Sequence, residues 1–131
     1  MLRNMEDSSG TTRFDALVRD AFTAHQRRDK GFGPALGAAA PVYLGARLAA
    51  AGCAVASAAS DWRVGPDDRR MLAAVIDMES AAAAEQRPDA AAAIAVWAAQ
   101  RRVELAAGVL SLTIGHRDIL ALPRDKWAGV P

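Results

Sequence analysis

A chain of 131 residues that is 52% hydrophobic and 24% charged has the size and composition of one globular domain with room for a core. Its formal net charge is +1, so it lacks the strongly basic balance typical of nucleic-acid binders. A single cysteine, Cys53, excludes an intrachain disulfide and a cysteine-built zinc site, and fits a reducing cytoplasm.

Alanine dominates the chain and the basic residues are almost all arginine, with Lys30 and Lys126 the only lysines. This combination reads as the codon usage of a GC-rich bacterial genome. Alanine is the best helix former because it gives up no side-chain entropy and buries no polar group. With only 5% aromatics, helices must approach closely to exclude water. The expected fold is therefore all-α: a compact bundle of four to five helices over 12–29, 41–61, 66–86, 89–107 and 109–121. A polar tail (1–11) precedes this single domain (12–122), and an irregular one (123–131) follows it.

Residues 1–11 have no apolar signal-peptide core. The first helix opens at Thr12, where Thr12-Arg13-Phe14-Asp15 has capping-box form. Phe14, Leu17, Val18, Ala21 and Phe22 then form one apolar stripe at helical spacing. Gly31-Phe32-Gly33-Pro34 supplies the turn after it. The second helix starts at Pro41, which suits a first helical position. Leu44, Leu48, Ala51, Val55 and Trp62 line one of its faces. Gly45, Ala49, Gly52 and Ala56 line the next, where small residues admit another backbone closely. The stretch from Gly31 to Ser60 is nearly free of charge, but Arg47 in its middle is costly in a bilayer, so a buried helix is expected and no membrane span.

The third helix begins at Pro66 with Asp67 and Asp68 in its first turn, where the helix dipole favours acids. Arg87-Pro88 ends it. The fourth begins on Pro88-Asp89, and its polar strip is Gln100, Arg101 and Glu104. Its remaining surface carries more apolar residues than one core needs, so Val96 and Val103 join Gly45, Ala49, Gly52 and Ala56 as expected interface residues. Beyond Gly108, Val109 to Ile114 alternates as a strand would, while Leu105, Val109, Leu112 and Ile119 also fit a helix. An isolated strand has no partner in an otherwise helical monomer, so a helix broken at Gly108 and Gly115 is expected. Strand pairing across a dimer is the exception.

Three polar residues fall on apolar helix faces: His25, Glu79 and Arg47. A buried carboxylate is costly unless paired or protonated, so these residues are the candidates for a polar site, should their helices meet. No phosphate loop, Ser-His-Asp order or Glu-x-x-His pair is present, and no metal or cofactor is expected. The Arg19 to His25 spacing resembles the Arg-x(4–6)-His pattern of HEPN-type ribonucleases, which implies RNA cleavage within a helical fold. Residues six apart on a helix, however, lie about 120° from facing the same way.

The expected function is a small bacterial non-enzymatic protein–protein interaction module, such as an adaptor, chaperone, immunity or assembly subunit. Its partner is another protein or a second copy of itself. One alternative is a ligand-binding or enzymatic bundle built around Glu79, His25 and Arg47. Another is a nucleic-acid-associated regulator or HEPN-like ribonuclease.

Overall fold

The computed structural model describes residues 2–4 and 14–124. In chain order the elements are β1 (Leu2–Asn4), α1 (Asp15–Gln26), α2 (Ala40–Ala50), β2 (Cys53–Ala59), β3 (Trp62–Val64), α3 (Arg69–Gln86), α4 (Ala91–Ala107), β4 (Leu110–Ile114) and β5 (Arg117–Pro123). Short 3₁₀ turns at Gly37–Ala39 and Pro88–Ala90 lead into α2 and α4. The chain divides into two compact units, Met1–Ala35 with Trp62–Ile114, and Leu36–Asp61 with Gly115–Pro131.

The first unit packs α1, α3 and α4 against one another and against a three-stranded antiparallel sheet of order β1-β4-β3. Its core holds Val18 and Ala21 of α1, Leu72, Val75, Ile76 and Ala83 of α3, Ile94, Trp97 and Ala98 of α4, and Leu110 and Leu112 of β4. The α1 stripe and the Leu72–Val75–Ile76 face of α3 are those the periodicity indicates. The Asp68 carboxylate caps α3 by accepting from the Met71 backbone N–H at 3.1 Å, which satisfies one donor of the first turn. The expected capping box at Thr12 lies outside the described residues. α1 starts at Asp15, with Phe14 in the cap position and no side-chain cap bond.

The second unit is a two-stranded antiparallel ribbon with α2 beside it. Seven residues pair on each strand, from Cys53 opposite Pro123 to Ala59 opposite Arg117. Val55 and Ser57, with Arg117 and Ile119 of β5, share a groove with Pro41, Val42, Gly45 and Ala46 of α2, so the helix lies on that face of the ribbon.

The protein is thus an α/β mix, not the expected all-α bundle of four to five helices. Two glycines account for most of the difference. Gly52 takes φ 86° and ends α2 at Ala50, where a continuous helix to residue 61 is expected. Gly108 takes φ 74°, caps α4 and releases Leu110–Ile114 as a strand. The objection that this strand lacks a partner fails because two short segments supply one on each side. Asn4 lies opposite Leu110 in β1, and Trp62 lies opposite Ile114 in β3, where only a tail and a turn are expected.

Candidate functional site

Inside the first unit, α1 and α4 enclose charges. Arg101 is wholly buried, and Asp15 and Glu104 nearly so. Arg101 Nη1 lies 2.8 Å from Glu104 Oε2, and Nη2 lies 3.4 Å from Asp15 Oδ1. None of the guanidinium nitrogens has an aligned hydrogen-bond acceptor, so the attraction is coulombic more than directional. Asp15 Oδ1 also accepts from the Trp97 indole N–H at 2.6 Å, and Glu104 Oε1 from Gln100 Nε2 at 3.0 Å. Two carboxylates thus surround one cation in a core where water cannot screen them.

Glu79 borders this cluster from α3. Burial pushes its carboxyl above the ordinary value of 4.5, the negative charge of Asp15 adds to the rise, and Arg101 opposes it. Because the folded state holds the proton more tightly, the stability this group contributes is complete below its unfolded value. It is lost as pH rises through the raised folded value. Glu79→Gln is therefore expected to be more stable than the parent chain at neutral pH. The gap should close as pH falls toward 4.5, followed by denaturant unfolding at a series of pH values. A gap that does not change with pH would show that the carboxyl is not perturbed by its burial.

The other two sequence candidates are elsewhere. His25 Nε2 meets Glu85 Oε2 at 3.1 Å, and Arg28 donates to the other oxygen of the same carboxylate. These two bonds hold the exposed Glu85 carboxyl below its ordinary value and tie the end of α1 to α3. Arg47 belongs to the second unit and is exposed there. The structure therefore brings Glu79 together with Asp15 and Arg101, and leaves His25 with Glu85. Among the described residues, no group of three or more His, Cys, Asp or Glu side chains is placed to hold a metal ion.

The outward side of α4 carries an aliphatic ridge of its own. Ala92, Val96, Ala99, Val103 and Ala106 succeed one another at four- and three-residue steps, the spacing of a single helix face, and all five are exposed. Val96 keeps 58% of its surface in solvent and Val103 63%. The expected polar strip of α4 is thus split. Gln100 is exposed, while Arg101 and Glu104 point into the core. Beside the valine ridge runs a shallow groove of about 450 Å³ between α3 and α4. Alanines 81, 84, 91, 95 and 98 line much of it, and the Arg102–Asp77 ion pair stands on its wall.

The small-residue stripe expected on one long helix is divided among three elements. A Cβ built on Gly45 would come within 4.0 Å of Val55 Cγ1, so Gly45 faces β2 of its own unit. Ala49 is exposed near the end of α2, Gly52 sits in the turn after it, and Ala56 is exposed in β2. No described residue of the second unit is buried, yet Leu36, Val42, Tyr43, Leu44, Leu120 and Leu122 are all exposed.

Comparison with family models, with curated proteins and with solved structures finds no match to this chain. No helix among the described residues is long and apolar enough to cross a membrane.

Proposed function

We infer that this protein is a small non-enzymatic interaction module that receives a helix of a partner protein on the outward face of α4. The observation that carries the reading is the aliphatic ridge on the outward face of α4, where Val96 and Val103 stand exposed among alanines although Ile94 and Trp97 already fill the core side. A monomeric surface helix normally presents polar residues on its outward face. An exposed apolar strip bordered by a groove is what a helix-in-groove partner needs, with valines acting as anchors at helical spacing.

The test is a photo-crosslinking amino acid placed at Val96 or Val103 in the native host, with Arg70 of α3 as the exposed control. A discrete adduct at both valines and none at Arg70 is expected. The double substitution Val96→Glu with Val103→Glu should abolish partner co-purification and leave helicity unchanged, since neither side chain supports the core. Equal labelling at Arg70 and the valines would overturn the reading.

A second reading, a ligand or catalytic site around Glu79, rests on the buried guanidinium without aligned acceptors. It requires Glu79→Gln to remove a binding or catalytic activity while the fold is kept. A change confined to stability and its pH dependence assigns Glu79 to the core.

A further inference from the structure

We propose that the free edge of β2 pairs with β2 of a second copy of this chain, antiparallel across a two-fold axis, making one continuous four-stranded sheet. The inference does not rest on the α4 reading. Among the described residues no further strand pairs with either edge of the ribbon, and the two edges differ in kind. β5 starts with Arg117 and Asp118 and ends on Pro123, which has no N–H to offer a neighbour. Charges and proline are the means by which proteins block edge pairing. β2 reads Cys-Ala-Val-Ala-Ser-Ala-Ala, with no charge, proline or glycine. One edge is protected and the other is left open to a strand.

The second copy is the occupant these features select. A two-stranded ribbon is marginal by itself, and this one has no buried residue to support it. A two-fold contact demands a self-complementary surface. An uncharged strand of small residues meets that demand, because pairing it with itself opposes no like charges. Full overlap of the seven residues sets Ala56 against Ala56 on the axis, Val55 against Ser57, and Cys53 against Ala59. The assembly then stops at two copies, because only the blocked β5 edges remain outermost. Cys53 falls away from the axis, so the pairing needs no disulfide.

Single cysteines introduced along β2 in a Cys53→Ser background test this directly. Directly opposed residues in an antiparallel pair have Cα atoms about 4.5–5.5 Å apart, within disulfide reach. Under oxidised glutathione, Ala56→Cys should give the covalent dimer, and yield should fall on either side of it. Leu120→Cys, one strand further out, should give none. The full-length parent chain should sediment as a dimer. Ala56→Lys should raise its dissociation constant several-fold, by setting like charges across the axis, while circular dichroism is unchanged. A dimer that crosslinks at Leu120 and not at Ala56 would mean packing through the ribbon's face and overturn the proposal. So would a monomer at every concentration.

Discussion

Replacing Arg101 by leucine is expected to remove about 3–5 kcal/mol of stability, the usual consequence of taking one partner out of a buried ion pair. The leucine fits the space and adds apolar contact, so the loss is electrostatic. Asp15 and Glu104 remain inside the core with their compensating charge gone. Removing a carboxylate as well should reverse most of it. The double substitution Arg101→Leu with Glu104→Leu leaves Asp15 still accepting from Trp97, and apolar replacements of buried pairs are often neutral or stabilising. Urea unfolding of the parent, the single and the double variants measures this. A single variant within about 1 kcal/mol of the parent would mean that the pair contributes little.

The second large effect contrasts two leucines on strands. Leu112 of β4 is 2% exposed, against 59% for Leu120 of β5. Leu112→Ala removes side-chain volume from the junction of helices and sheet, and should cost about 2–5 kcal/mol. Leu120→Ala should stay within about 0.5 kcal/mol in the isolated chain, as surface substitutions do. The same chemical change thus separates the unit that has a core from the unit whose described residues include none that is buried. Equal losses would contradict the burial of Leu112 and the exposure of Leu120.

Helices were legible where the sequence punctuates them. Asp67-Asp68 and Pro88 mark the start of α3 and the 3₁₀ turn into α4, and Leu72, Val75 and Ile76 show the buried side of α3. The strands were hidden for a physical reason: strand pairing is non-local. Trp62–Val64 is only three residues long and becomes a strand because β4 reaches it, which no local window reveals. The second half of the expected long helix, Cys53–Ala59, is rich in alanine, whose propensity favours the helix that Gly52 interrupts.

The buried charges were hidden by alanine in another way. When small apolar residues occupy all sides of α4, periodicity does not distinguish inside from outside. Only the bulkier residues do. Ile94 and Trp97 fix the buried face, and seven residues on from each stand Arg101 and Glu104. Taking charge as a sign of solvent therefore inverts this helix. Glu79 was visible because three large aliphatic residues surround it on α3. Asp15 was not, because its partners Trp97 and Arg101 lie on a different helix.

The pairing of β4 also has a consequence for how the chain is made. Leu2 lies opposite Leu112, and Cys53 opposite Pro123, so each sheet joins an early segment to a late one. During synthesis α1, α2, β2, β3 and α3 all leave the ribosome before β4 exists. Neither sheet can close until the segment beyond Leu110 has emerged. Contacts so distant in sequence slow folding, because the entropy of closing the loop is lost before any pairing compensates it. From the completion of β2 at Ala59 until β5 emerges, the nascent chain carries the uncharged β2 strand unpaired, the interval in which binding by a ribosome-associated chaperone has most to protect.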